Sequence, residues 1–357
     1  MREWLEREWQ RRGGGALIFL PLAAAFGALV WLRRLLYRLR ILPAWRARVP
    51  VIVVGNITVG GSGKTPLVIA IVEMLERRGR KPGVVARGYG RVPRREHDPL
   101  GVVRVYPDVA TPEHFGDEPV LIARRSRVPV YVSPDRAAAA RALLEAHPEV
   151  DVIVSDDGLQ HYALARDIEI AVVDAERAFG NGLLLPAGPL REPIRRLRDV
   201  DAVVMHGEME EKPGTDPDFP PARKSGSVPG FSMRLGHERF TALASNQELA
   251  PAEFALATRG RRVVAIAGIG NPGRFFEHLE RLGIAARGAP FPDHHASTAA
   301  ELKLPGAEVI VMTEKDAVKC AAFADARMWS MRVDALVDPE LETFIAERLN
   351  TSGSETA

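Results

Sequence analysis

An α/β fold, a mainly parallel sheet flanked by helices, is predicted for this chain of 357 residues on three observations. From residue 50 onward, short β-rich apolar runs alternate with helical stretches. Those runs are apolar almost without interruption, as strands buried on both faces are. A glycine-rich turn also stands between the first such strand and the first such helix. Strands are expected at 51–54, 84–86, 130–132, 152–154, 168–173 and 202–205, with helices at 65–78 and 135–147. A stretch rich in acids and prolines, 206–230, reads as a linker. A second set follows: strand 263–267, helix 274–282, strands 309–312 and 328–333, and helix 340–349. The expected organisation is therefore an N-terminal segment 1–49, a nucleotide-binding domain 50–205, the linker 206–230, a smaller α/β domain 231–350, and a frayed small-residue tail 351–357.

Composition narrows the function. Apolar residues make up 46% of the chain, enough for real cores. Basic and acidic residues number 48 and 46, a formal charge of +2, which argues against a nucleic-acid-coating protein. A lone cysteine, Cys320, can form neither an internal disulfide nor a Cys-rich zinc site and fits a reducing compartment.

The near-neutral average hides one unusual segment. Residues 16–32 carry no charge and would rise about 25 Å as a helix, the lower limit for crossing a hydrocarbon core. Pro21 and Gly27 weaken that span further. Arg33, Arg34, Arg38, Arg40, Arg46 and Arg48 follow, interleaved with Leu35, Leu36, Tyr37, Leu39, Ile41 and Leu42. Such a mixture suits a basic membrane-surface segment, with the bulk of the chain on the cytoplasmic side. A signal peptide fits poorly, because arginines and glutamates precede the apolar run and no small-residue cleavage site follows it. The other rival is a buried core helix.

The strongest motif is Gly55-Asn-Ile-Thr-Val-Gly-Gly-Ser-Gly-Lys-Thr-Pro66. A glycine-rich turn lets consecutive backbone N–H groups close on phosphate oxygens, and the following helix N-terminus adds a favourable dipole. The binding residues are then Thr58, Val59, Gly60, Gly61, Ser62, Gly63, Lys64 and Thr65, with Lys64 reaching the β and γ phosphates and the Thr65 hydroxyl on Mg²⁺. Thr58 stands where the general phosphate-loop pattern has glycine. Asp156 and Asp157 end the strand at 152–154; one or the other is expected to serve the metal. A guanine-nucleotide switch is disfavoured, since Leu159 and Gln160 occupy the places where glycine would be needed. Gly268-Ile-Gly-Asn-Pro-Gly273 matches a dinucleotide fingerprint literally, but Pro272 suits a tight strand-to-helix turn better than a pyrophosphate cradle.

These motifs in order resemble the tetraacyldisaccharide 4′-kinases, which phosphorylate the lipid A precursor at the cytoplasmic face of the Gram-negative inner membrane. Besides residues 55–66 and the N-terminal anchor, the likeness rests on Ala-Arg-Gly-Tyr-Gly-Arg (86–91), Gly-Asp-Glu-Pro (116–119) and Ser-Asp-Asp-Gly-Leu-Gln-His (155–161). It extends through Leu-Pro-Ala-Gly-Pro-Leu-Arg-Glu (185–192), Ala-Gly-Ile-Gly-Asn-Pro (267–272), Phe-Pro-Asp-His (291–294) and Thr-Glu-Lys-Asp-Ala-Val-Lys (313–319). Thr58 in the glycine loop is what this family looks like. The resemblance implies ATP, Mg²⁺ and a membrane-embedded disaccharide lipid whose 4′-hydroxyl takes the γ-phosphate, with no nucleic-acid partner. It implies a place on the cytoplasmic face of the inner membrane, peripheral or monotopic, and a monomer is expected.

The resemblance also assigns residues. Asp117 matches the catalytic aspartate and His294 the histidine paired with it, alongside Lys64. Glu192 joins Thr65, Asp156 and Asp157 as a metal candidate, and Arg87, Tyr89, Arg91, Gln160 and Arg191 are candidates for substrate contact. With Asp117 in the first expected domain and His294 in the second, their pairing would require domain closure. Two alternatives are a soluble small-molecule kinase whose apolar segment is a buried helix, and a nucleotide-dependent membrane switch without transfer chemistry.

Overall fold

The computed structural model describes residues 8–9, 14–89, 101–207, 228–295 and 297–354. The α/β class is as expected, but the chain divides differently from the linear scheme. One compact unit gathers the chain up to Ala86, Asp135–Arg234 and Leu336 onward; the other gathers Arg87–Pro134 and Leu235–Ala335. The boundary does not fall in the acidic stretch, of which 208–227 lies outside the described residues; it falls within a long strand, Gly230–Ala242. The C-terminal helix Pro339–Ser354 belongs to the first unit, not the second, and continues through residues expected to fray.

In the first unit, Val51–Gly55 is the central strand, parallel to Val152–Asp156 on one side and to Ile168–Asp174 on the other. Pro82–Ala86 extends the sheet beyond Val152–Asp156, and Ala202–His206 followed by the start of Gly230–Ala242 extends it beyond Ile168–Asp174, all parallel. The first three strands are buried at every position. This is why their sequences show no alternation. Helix Lys64–Arg77 packs on the central strands through Leu67, Val68, Ile71, Val72 and Leu75. Helix Arg136–Ala146 starts at Asp135, whose side chain accepts from the N–H groups of Ala137 and Ala138 at 2.9 and 3.2 Å. Because Val54 pairs with Asp156 in parallel register, the glycine loop and Asp156-Asp157 emerge at the same sheet edge.

The N-terminal segment is a 3₁₀ turn, Gly14–Phe19, running into helix Leu20–Arg38. One face docks on the first unit. Ala23 is buried, a Cβ on Gly27 would lie 2.7 Å from the Leu184 side chain, Arg34 meets Asp199 at 2.8 Å, and the Tyr37 and Tyr162 rings are 5.8 Å apart. Leu17, Ile18, Leu22, Leu29, Trp31 and Leu32 stay exposed. By length and composition Gly15–Arg38 could cross a membrane, and its apolar window is only 11% buried. A core helix of a soluble protein would be covered instead.

The second unit has parallel strands in the order Ala286–Pro290, Val263–Ala267, Val309–Thr313 and Met328–Val337. Its apolar core includes Phe240 stacked on Phe254 at 4.0 Å, Leu279 and Val311. A short antiparallel pair, Val103–Val105 with Val130–Val132, packs on helix Asp117–Ser126. That helix in turn packs on Glu314–Cys320.

A buried ion pair ties the first unit's sheet to the turn after residue 192. Arg196, 2% exposed, donates to both oxygens of Glu169 at 2.7 and 2.6 Å. Removing one partner strands a buried charge. Glu169→Ala should therefore cost about 3 kcal/mol of stability, read as a lowered urea midpoint.

Candidate active site

The phosphate loop is shaped by its neighbours. Val59 N–H donates to Pro189 O at 2.9 Å, Arg191 N–H donates to Ile57 O at 2.7 Å, and the Asn56 amide donates to Ser62 Oγ at 3.0 Å. Gly63 adopts φ 87°, and a Cβ there would lie 2.6 Å from His206 Nδ1; no other residue fits. No side chain caps the helix that begins at Lys64, so its first N–H groups are presented to an anion. Of the predicted cradle, Val59 has its N–H committed to Pro189 and contributes shape rather than a donor.

Three charged side chains converge beside this loop. Arg191 Nη1 donates to both oxygens of Asp157 at 3.0 Å, and Lys64 Nζ lies 3.7 Å from the same carboxylate. Burial would raise the Asp157 carboxyl, but Lys64 and Arg191 outweigh it and hold it far below the usual carboxylate range. Asp157 itself sits in the left-handed region, φ 48°, directly after the strand. Asp156 is buried, and its carbonyl accepts from Arg136 Nη2 at 3.2 Å.

The donor set suits Mg²⁺, a hard ion that takes few protein oxygens and leaves the rest to phosphate and water. The Thr65 hydroxyl stands in the first helical turn, and Asp157 is ionised beside the preceding residue, Lys64. Among the described residues no group of three or more His, Cys, Asp or Glu could form an all-protein cage. Glu192, the further metal candidate, is held by three neighbours. It is 1% exposed, one oxygen accepts from the Tyr162 hydroxyl, and the other accepts from Gln160 Nε2 at 3.3 Å and lies 3.5 Å from Arg196 Nε. The same Gln160 amide nitrogen donates to Asn56 O at 3.0 Å, a strut under the glycine loop.

The second unit holds the other predicted pair. Asp117 is the first residue of helix Asp117–Ser126, not a loop residue. His294 follows Pro292 in a turn at φ 62°. Asp117 Oδ1 and Oδ2 lie 3.1 and 3.0 Å from His294 Nδ1. Both residues belong to the same compact unit, so the pair forms without any domain closure. Gly116, at φ 87°, lets the chain pass close to Tyr89, where a Cβ would lie 2.9 Å from the Tyr89 carbonyl. The Tyr89 ring lies 4.9 Å from the His294 ring. Neighbouring His295 instead stacks on Phe291 and meets Glu301 at 3.0 Å, which answers which of the two adjacent histidines belongs to the site.

Two lysines complete this cluster, and neither stood among the sequence candidates. Lys315 Nζ is 3.3 Å from Glu118, 3.1 Å from Asp293 and 3.8 Å from Asp117, while Lys319 Nζ is 3.7 Å from Asp117 and 2.9 Å from Asp316. Their spacing, four residues apart on one face of a short helix, was the available signal. Burial raises the Asp117 carboxyl, but the His294 hydrogen bond, Lys315, the His294 charge and Lys319 bring it down to about 2. The glycines after Val263–Ala267 serve this cluster, not a dinucleotide. Gly268 N–H donates to Asp316 Oδ2 at 2.9 Å, and a Cβ on Gly268 would lie 2.8 Å from Asp316 Oδ1. Of the five predicted substrate contacts, Arg87 and Tyr89 lie in the second unit and are exposed. Gln160 and Arg191 lie in the first, and Arg91 is outside the described residues.

Comparison with known proteins points one way. A family model described as tetraacyldisaccharide-1-P 4'-kinase matches residues 15–350. The tetraacyldisaccharide 4'-kinase of Aromatoleum aromaticum is 50% identical over 354 residues, covering 98% of each chain. That of Methylobacillus flagellatus is 46% identical over 97% of this chain and 96% of its own. A crystal structure of LpxK from Aquifex aeolicus in complex with ATP superposes with a TM-score of 0.73 at 27% identity, covering 94% of this chain and 99% of that one.

Because the Asp117 carboxyl is depressed to about 2, its contribution to stability is complete above its unfolded value of about 3.9. That contribution is lost as pH falls through about 2. A ¹³C NMR titration should show this midpoint, and Lys319→Met should raise it by about one unit.

Proposed function

The chain belongs to the tetraacyldisaccharide-1-P 4'-kinase family, and from that premise we propose how its own residues carry out the transfer. As a tetraacyldisaccharide 4'-kinase of lipid A biosynthesis it moves the γ-phosphoryl group of ATP to the 4′-hydroxyl of a tetraacyldisaccharide 1-phosphate. The hydroxyl oxygen forms the new P–O bond, the bond to the β-phosphate oxygen breaks, and the electron pair leaves with ADP. The hydroxyl proton must go to a base as this happens.

The observation that carries the assignment is the pair Asp117–His294 at 3.0 Å. Asp117 is ionised throughout the physiological range and holds the imidazole by Nδ1, so the two act as one proton acceptor. On the first unit, the loop N–H groups from Gly60 to Thr65 cradle the phosphates. Lys64 and Arg191, aligned by their shared partner Asp157, neutralise charge on the transferring oxygens. Thr65 with Asp157 or Asp156 would hold Mg²⁺, which supplies further charge neutralisation when bound. Arg87 and Tyr89, exposed on the second unit, face the acceptor's polar groups.

The N-terminal helix brings the chain to its substrate. With one face docked and Leu22, Leu29 and Trp31 exposed, it is built to lie in one leaflet of the cytoplasmic face of the inner membrane, basic residues at the surface.

Incubation with γ-labelled ATP and the disaccharide lipid tests the whole reading; a chain that labels nothing in the lipid fraction is a nucleotide-dependent switch instead. Asp117→Asn and His294→Ala should each slow transfer by about 10²–10⁴-fold with ATP binding retained, whereas Lys64→Ala should lose ATP binding. Leu22→Glu with Leu29→Glu should abolish sedimentation with anionic vesicles and leave ATP binding intact.

A further inference from the structure

We propose that Lys315 is a positioning residue for the reaction: it holds the His294 ring in one neutral form, with the proton on Nδ1 and a lone pair on Nε2. The inference rests on the reading of Asp117–His294 as the proton-accepting pair. An ammonium group has three donors and no acceptor, and Lys315 Nζ lies 3.4 Å from His294 Nε2. The nitrogen it faces must therefore accept. On the other side of the ring a carboxylate, which can only accept, faces Nδ1 at 3.0 and 3.1 Å, so Nδ1 must carry the proton. The two neighbours specify the same tautomer independently.

The surroundings show what Lys315 holds off. Helix Asp117–Ser126 brings Asp117 and Glu118 to this cluster; the ring's own turn brings Asp293, whose Oδ2 is 3.7 Å from Nε2; the segment after Pro82–Ala86 brings the Tyr89 ring. Helix Glu314–Cys320 brings Lys315, and Lys319 one turn further against Asp117. Lys315 meets both Nε2 and Asp293, bonding Asp293 Oδ1 at 3.1 Å. Burial weakens the ammonium's hold on its proton, but Glu118, Asp117 and Asp293 more than restore it, so this side chain stays cationic. Without it, the imidazole would stand between two carboxylates, Asp117 at Nδ1 and Asp293 at Nε2. That arrangement favours a second proton on the ring. A doubly protonated ring leaves the pair without room for the proton of the substrate hydroxyl.

Nitrogen-15 NMR of the His294 ring in the full-length protein at neutral pH tests this directly. The wild-type ring should show a protonated Nδ1 and an unprotonated Nε2. Lys315→Met should show both nitrogens protonated, Lys315→Arg should keep the wild-type pattern, and Lys315→Met with Asp293→Asn should return to a neutral ring. In parallel, the acid limb of the kcat/KM profile in Lys315→Met should move about one pH unit higher, with the KM for ATP unchanged. A wild-type ring protonated on Nε2, a Lys315→Met ring still neutral on Nδ1, or a double variant that stays cationic would each overturn the proposal. The wild-type spectrum decides even if Lys315→Met fails to fold. If Asp117→Asn keeps full transfer activity, it is the reading of the pair that fails, while the ring spectra still judge Lys315.

Discussion

A charge taken out of water has to be matched, and that requirement organises both candidate sites. Asp157 is shared by Lys64 and Arg191, which fixes two cations beside the glycine loop without a long chain of supporting side chains. Asp117 is shared by His294, Lys315 and Lys319, which keeps a buried carboxylate ionised at the start of a helix. The same rule accounts for Glu192, buried with Tyr162, Gln160 and Arg196 around it. A group's value to catalysis depends on whether its partners leave it anything to give. Asp157 and Asp117 are strongly acidic because cations face them, and Lys315 is strongly basic because anions face it.

How much of this was legible in the sequence follows from how local each feature is. The phosphate loop was readable because strand, turn, helix, Lys64 and Thr65 are consecutive and each residue's role follows from backbone geometry. Strands such as Val51–Gly55 and Val263–Ala267 were readable because full burial leaves an uninterrupted run of apolar and small residues. Asp117 and His294 lie 177 positions apart, and only their resemblance to a family pattern joined them. Lys315 and Lys319 stood inside a quoted motif, but nothing in their spacing says which carboxylate a helix face will meet. The partners of Glu192, Tyr162 and Arg196, were hidden for the related reason that they come from separate turns.

The division into units was the least legible feature. A run of acids and prolines looks like a linker whether or not the chain changes units there, and the strand Gly230–Ala242 carries the change instead. Its burial alternates irregularly, and Gly236 and His237 interrupt the apolar pattern, so no clean period announces it. The helix bearing Asp117 was hidden by its polar start, Gly-Asp-Glu-Pro, which reads as a loop until Pro119 is recognised as a first-turn residue. The N-terminal helix shows the opposite case. Its composition was plain, while its orientation depends on contacts with Leu184, Asp199 and Tyr162 that composition does not contain.

The interleaving of the two units bears on how the protein comes into being. The chain passes between them at 86/87, 134/135, 234/235 and 335/336. A ribosome delivering this chain from its N-terminus makes the phosphate loop early, yet that unit lacks its last helix until Pro339–Ser354 has been made. Phe231 waits for Phe344, and Arg78 waits for Glu342 across most of the period of synthesis. The second unit is complete once Ala335 is made, but the first stays unfinished until Pro339–Ser354 follows, so its nascent form carries uncovered apolar surface for as long.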